Sequence, residues 1–470
     1  VVAQGLPLIC TGPIDGELQD VTDIANPSTR VLSRRRLGAL SVSALATLMA
    51  GAAGAAQPDP AAQDLVIHAG SVIAVPGERP LGPTTIVVRN ERIAQILPGY
   101  VDDGDARVID LKDRTVLPGL IDTHVHFSFS PATPLWSAAI DTPEDVALFS
   151  FSNAKKTLEA GFTTVRDVGS DGYAIHALRD AINDGIVVGP RIFLSGTSLS
   201  IVGGHGDMSG LNRKTTEALF PYDYTGACTG AVECALRVRE AAKYGADLIK
   251  ITSTGGIMSQ QARGLGQHLS DEELNAIVST AHGLGLKVAA HAHGAQGVTA
   301  SVRAGVDSIE HGTWLDADTA KMMAARGTWL VPTLGLLDSH NAADTARITP
   351  AVAAKMAEAR KVSGDNIRLA VRYKVNIAFG TDAGVSPHGE NARQFRKMVE
   401  QGPMTPMAAL RSATVDAAIL LGQSDNIGTI APGKYADMIA VAGDPYRDVT
   451  VLEKVALVIK DGQIVARDDD

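Results

Sequence analysis

The apolar run Thr115-Val116-Leu117-Pro118-Gly119-Leu120-Ile121 leads directly into Asp122-Thr123-His124-Val125-His126. Side chains of a strand alternate between its two faces, so His124 and His126 project the same way and can share one metal ion. Four further chemistry-bearing residues hold the same position relative to runs of their own. Lys250 follows 246–249, His291 follows 287–290, His311 follows 306–310, and Asp382 follows 375–381. So many polar residues at the ends of short apolar runs restrict the chain to folds in which strand ends converge.

Buried strands are also expected at 162–168, 191–196 and 328–333, which brings the count to eight. Helical periodicity over 146–160, 174–183, 231–244, 271–283 and 351–373 separates them. Eight strands alternating with helices point to an α/β chain built on a (β/α)8 barrel rather than an open doubly wound sheet, because a barrel brings every strand end to one mouth. No glycine fingerprint for a dinucleotide or phosphate follows the first of these strands, which counts against a Rossmann fold.

Short β-rich runs precede the barrel, at 65–68, 71–75, 85–88 and 92–97, and matching runs follow it, at 438–441, 455–459 and 463–466. Neither set can form a stable sheet alone. The expected organisation is therefore a small β-sandwich built from 57–118 and 427–470, around a metallohydrolase barrel spanning 119–426.

The segment 1–56 stands apart from this. Ser33-Arg34-Arg35-Arg36 supplies a basic region, 37–49 an apolar stretch and 53–56 small residues suited to cleavage, which together read as an export signal ending near residue 55 or 56. The apolar stretch is too short for a stable membrane anchor. The arginine pair weakly resembles a twin-arginine signal, with an ordinary export signal as the plainer reading. Residues 1–32 show no clear periodicity and are expected to derive from an upstream start or from added sequence. A periplasmic or secreted protein is the expected product, in which Cys228 and Cys234 either close a small disulfide or remain free thiols.

In a chain of 470 residues, 45% apolar and 20% charged, a large globular core is expected. Its formal charge of −10 argues against nucleic acid or an anionic membrane as a partner and leaves small molecules as the ligand class.

Imidazole and carboxylate ligands suit zinc, and a hydrolytic site keeps a coordination position for water, whose pKa falls to about 7 on the metal. His124, His126 and Asp382 would hold one ion, and His291 and His311 a second. Lys250 does not fit as an ammonium, since a buried cation beside two metals is very costly. A desolvated lysine near positive charge is neutral more readily, and its amine can add carbon dioxide to form a carbamate that bridges both ions. The alternative is an unmodified lysine paired with Asp382 at the barrel mouth.

These residues lie in stretches that resemble the amidohydrolase superfamily. They are 118–126, 245–250, His291-Ala292-His293-Gly294, Ser308-Ile309-Glu310-His311-Gly312, Gly380-Thr381-Asp382-Ala383-Gly384 and 427–437. The likeness covers nearly all of 60–470. Within the superfamily the chain is similar to the imidazolonepropionase-like branch of Xaa-Pro and Xaa-Arg dipeptidases and ochratoxin-degrading amidohydrolases. It departs from imidazolonepropionase itself, which has His-x-x-Glu where this chain has His291-Ala292-His293-Gly294, uses one metal and lacks the strand-4 lysine.

The resemblance implies two zinc ions per chain bridged by carboxylated Lys250, and a homo-oligomer. It also implies amide hydrolysis by a metal-bridging hydroxide, with Asp382 shuttling the proton to the leaving amine. His293 is a candidate for holding the substrate carbonyl or carboxylate, and His205, in Gly203-Gly204-His205-Gly206-Asp207, is a second pocket candidate. The expected substrates are dipeptides or N-acyl amino acids, ochratoxin A among them. Lactam, ester or phosphotriester hydrolysis on the same metal centre is the alternative, and a non-catalytic scaffold a remote one. Glu310, on the opposite strand face from His311, is expected to be structural, and His176, His268, His282, His340 and His388 to be surface or packing residues.

Overall fold

The computed structural model describes residues 64–104, 106–133, 137, 140–207, 212–219, 225–259, 264–337 and 349–467. The expected export signal lies outside them, as does His340. No helix among the described residues is long and apolar enough to cross a membrane.

Strands β1 (Leu65–Val72), β2 (Thr84–Arg89), β3 (Arg92–Pro98) and β4 (Arg107–Pro118) form one part of a seven-stranded sheet. They are rich in β-branched residues, which suit a pleated, half-buried surface. Barrel strands follow: β5 (Leu120–Val125), β6 (Phe162–Asp167), β7 (Arg191–Leu194), the short pair β8 (Ser200–Ile201) and β9 (Ala227–Cys228), then β10 (Leu248–Thr252), β11 (Lys287–Ala292), β12 (Ser308–His311) and β13 (Trp329–Val331). The chain ends with β14 (Met438–Val441), β15 (Val455–Lys460) and β16 (Gln463–Arg467).

The terminal strands meet in the order β16-β15-β14-β4-β1-β2-β3. β1 and β4 run parallel, whereas β4 and β14 are antiparallel, with Pro118 opposite Met438 and Thr115 opposite Val441. Ile67, Val88, Ile109, Met438 and Ile459 contribute to a core belonging to this sheet. A larger core, with Leu158, Ile249, Val288, Ile309 and Phe379 among its members, fills the space between barrel strands and helices.

The barrel strands form two parallel arcs, β5-β6-β7 and β10-β11-β12-β13. Single backbone hydrogen bonds join them. The Asp247 N–H donates to Leu194 O (2.8 Å) and the Leu199 N–H to Lys250 O (2.8 Å) on one side. On the other, the Ala378 N–H donates to Leu330 O (3.0 Å), the Thr123 N–H to Phe379 O (2.9 Å) and the Asp382 N–H to His124 O (2.8 Å). The eighth strand expected over 375–381 is thus an extended segment tied by isolated bonds rather than a regular ladder.

Helices occupy the connections. Pro143–Glu159 and Asp271–Gly283 both start at capping boxes, Thr142 with Asp145 and Ser270 with Glu273, which satisfy N-terminal amides that have no partner within the helix. The single helix expected over 351–373 is two, Pro350–Lys361 and Asp365–Tyr373. Gly364 between them has φ +81°, and a Cβ there would run into the Gln401 carbonyl, so the break depends on glycine. Cys228 and Cys234 are joined as a disulfide, which resolves the alternatives left by the sequence.

Candidate metal centre and active site

Alternation along β5 places His124 and His126 side by side, ring centroids 5.2 Å apart. Asp382 joins them: its Oδ1 lies 3.1 Å from His126 Nε2 and 3.5 Å from His124 Nε2. The segments carrying these three residues are fastened together by Asp122. Its Oδ1 accepts from the backbone N–H groups of His124 and Thr381, both at 3.1 Å, and its Oδ2 accepts from Thr381 Oγ1 (2.6 Å) and Asn391 Nδ2 (2.8 Å). Burial raises the Asp122 carboxyl to about 6 against these four hydrogen bonds.

A second group forms at the ends of β11 and β12. Potential ligand atoms of His291, His293 and His311 all lie within 4.8 Å of one another, as do those of His124, His126 and Asp382. The two groups are neighbours, with the His124 and His311 rings 5.1 Å apart. His293, expected as a substrate contact, stands within the second group, its ring stacked on His311 at 4.6 Å. His205 reaches the same place, its ring 4.2 Å from that of His291.

One nitrogen of most of these rings is committed away from the centre. His126 Nδ1 bonds to Gly169 O (2.7 Å), His311 Nδ1 to Thr333 Oγ1 (2.6 Å), His293 Nδ1 to Thr313 Oγ1 (2.8 Å) and His205 Nδ1 to Ser259 Oγ (2.6 Å). Bonds of this kind orient a ring and leave its Nε2 to face a metal. His291 Nε2 is buried without a hydrogen-bond partner, as suits an atom meant for an ion. The donor set therefore fits divalent cations. Burial drives His291 and His311 well below the ordinary histidine range, and holds His124 and His205 at about 4 and His293 at about 3, so these rings are neutral and able to coordinate.

Lys250, on β10, is 3% exposed. Burial lowers its amine to about 8, overriding the opposite pull of Glu310 and Asp382, and Arg166 adds to the lowering. Its charge acts on His124, His126, His291 and His311, members of both groups. Asp382, despite a burial penalty, is held well below the carboxylate range by its hydrogen bond to His126 and the charges of His124, His126 and His311.

Glu310 differs from its expected structural role. His124 Nδ1 donates to its Oε2 at 2.7 Å, and Arg166 Nη2 and Ser308 Oγ donate to its Oε1 at 2.8 and 2.5 Å. Although burial opposes it, Arg166 and His124 lower the Glu310 carboxyl to about 2. The reason is conformational. His311 has φ +68°, outside the strand region, so the backbone turns at the strand end and its ring reaches the mouth while Glu310 faces the barrel interior. Arg166, a charged residue inside the buried strand β6, was the available sequence signal for such a carboxylate. His388 is likewise not merely a packing residue. It is 8% exposed, and its Nε2 lies 3.2 Å from both His126 O and Phe129 O, bracing the backbone that follows β5.

Beside the second histidine group lies a cleft. Ile257, Pro332, Leu334, Ala359 and Val362 line it with apolar surface, and His293, His311, Thr313, Thr333, Ser363 and Asn366 with polar groups. A molecule seated there would lie against the candidate metal ligands.

Residues 115–465 match the amidohydrolase family. Ochratoxinase of Aspergillus niger is 30% identical over 409 residues, covering 83% of each chain. A solved Xaa-Pro dipeptidase with methionine bound in its active site is 41% identical, with a TM-score of 0.78 over 85% of this chain and 99% of that one. A prolidase complexed with N-methylphosphonate-L-proline is 32% identical, with a TM-score of 0.77 over 86% of this chain and 100% of that one. The (β/α)8 architecture with a second domain, the paired histidine groups and these similarities lead to one assignment: this chain belongs to the amidohydrolase family and is a metal-dependent hydrolase.

Proposed function

We propose that the protein is a binuclear zinc amidohydrolase that cleaves dipeptides or N-acyl amino acids. The observation that carries this reading is the pair of three-ligand groups, His124, His126, Asp382 and His291, His293, His311, adjoining one buried lysine. In this assignment His124, His126 and Asp382 would hold one ion, His291 and His311 the other, and Lys250, as a carbamate, would be the ligand they share. The depressed Lys250 amine supports that modification, because only a neutral amine adds carbon dioxide. His293 then lies close enough to serve either as a further ligand or as a contact for the scissile carbonyl.

When bound, the metals supply Lewis acidity and lower the pKa of a water molecule to about 7. The protein's own residues do the rest. Asp382, kept ionised by the surrounding imidazoles, takes the proton from the attacking water and passes it to the departing amine. Glu310 orients His124, and Asp122 keeps the Asp382 segment in register with β5. The apolar side of the cleft excludes water and accepts a side chain. Similarity to an ochratoxinase and to Xaa-Pro dipeptidases supports an amide between an acyl group and an amino acid as the target.

A screen of zinc-loaded protein against dipeptides, N-acyl amino acids and ochratoxin A tests this, with Asp382→Asn as the control. Amide cleavage lost in that variant is expected. Turnover confined to esters, lactams or phosphotriesters would overturn the amidase assignment while leaving the metal centre intact.

A further inference from the structure

Helix Pro350–Lys361 presents Ala359 to the cleft, and Lys355 lies one turn before it on the same face. Lys355 Nζ donates to Gly256 O at 2.8 Å and to Ser259 O at 2.7 Å. An ammonium has three N–H donors, so these carbonyls leave it able to donate once more. The same Ser259 bonds through Oγ to His205 Nδ1, and the His205 ring packs on His291. A short chain of contacts thus connects Lys355 to the second histidine group, and its charge acts on both His205 and His293.

Among the described residues, Lys355 also lacks a counter-charge. Burial alone lowers its amine, with no acidic group pulling the other way, and among the described residues no carboxylate forms an ion pair with it. Most other cations at helix faces here are paired, such as Lys321 with Asp318 and Lys361 with Glu358. A partly buried ammonium without a carboxylate partner, on the helix and loop that supply Ala359 and Ile257 to the cleft, can receive an anion.

We propose that Lys355 binds the free carboxylate of the substrate's amino-acid portion, next to the apolar wall that takes its side chain. This rests on the amidohydrolase reading above, in which the substrate has a carboxylate one carbon from the scissile nitrogen. The ligand class is therefore an α-amino acid or N-acyl amino acid with an apolar side chain and an unblocked carboxyl group. A carboxylate there would accept a charge-assisted hydrogen bond, stronger than the neutral contact a carboxamide makes.

The experiment is calorimetric titration of zinc-loaded protein with L-phenylalanine and with L-phenylalaninamide, using wild type, Lys355→Met and Lys355→Arg, alongside turnover of N-acetyl-L-phenylalanine. Wild type should bind the carboxylate more tightly than the carboxamide. In Lys355→Met that preference should fall by about 10- to 100-fold, the range for a hydrogen bond to a charged group, and Lys355→Arg should recover part of it. Equal weakening of both ligands in Lys355→Met, or a wild type without carboxylate preference, makes Lys355 a latch for the 256–259 loop and overturns the proposal. A lysine-dependent carboxylate preference without amide turnover would uphold the subsite while defeating the amidase reading.

Discussion

Glu310 Oε2 accepts a 2.7 Å hydrogen bond from His124 Nδ1 deep inside the barrel, with both side chains almost wholly buried. The carboxylate fixes the ring's tautomer and makes its other nitrogen a stronger donor to a metal. Glu310→Gln should weaken zinc binding by about 10- to 100-fold. Chelator competition measures this, and an unchanged affinity would mean that Glu310 serves only Arg166.

Lys250 titrates at about 8 in the fold against an ordinary 10.5, so between those values the unfolded chain holds more protons than the native one. Its contribution to stability is fully present above 10.5 and lost as pH falls through about 8. Metal-free protein in bicarbonate-free buffer should therefore melt at higher temperature as pH rises across that window. Lys250→Met should flatten the rise, as followed by calorimetric Tm.

Zinc content offers a separate check on the same residue. Wild type prepared with bicarbonate should bind two ions per chain, and Lys250→Met should retain fewer, read by elemental analysis after gel filtration. Two tightly held ions in the variant would show that no bridging ligand comes from Lys250.

Asp382→Asn removes the proposed proton acceptor and one metal ligand together. kcat should fall by roughly 100- to 10,000-fold, the range for losing a general base. Secondary structure by circular dichroism should be retained, because Asp122 still ties Thr381 to β5.

Gly364→Ala tests the helix break at the edge of the cleft. With φ +81° and the Gln401 carbonyl in the path of a Cβ, the substitution should cost about 1 kcal/mol or more. Denaturant titration reads that loss.

The residues that converge on the candidate centre were legible because strands have a period of two and each one ends its own apolar run. His124, His126, Lys250, His291, His311 and Asp382 needed no knowledge of the loops. The bond from His124 to Glu310 escapes the strand pattern because alternation stops at His311, where the backbone is left-handed. The pair of helices within 350–373 was read as one because its apolar periodicity runs on past Ser363-Gly364, and only the third dimension shows what a side chain there would strike. Lys355 was invisible for another reason. A lysine on an amphipathic helix looks like solvated surface until the loop it caps and the missing counter-charge are known.

The antiparallel pairing of β4 with β14 has a consequence for synthesis. A ribosome making this chain releases β1 to β4 before the barrel, but the neighbour for the exposed edge of β4 emerges only after it. The opening strands must therefore wait, edge uncovered, while the whole barrel is translated. Any chaperone or export factor that handles the nascent protein has that edge to shield.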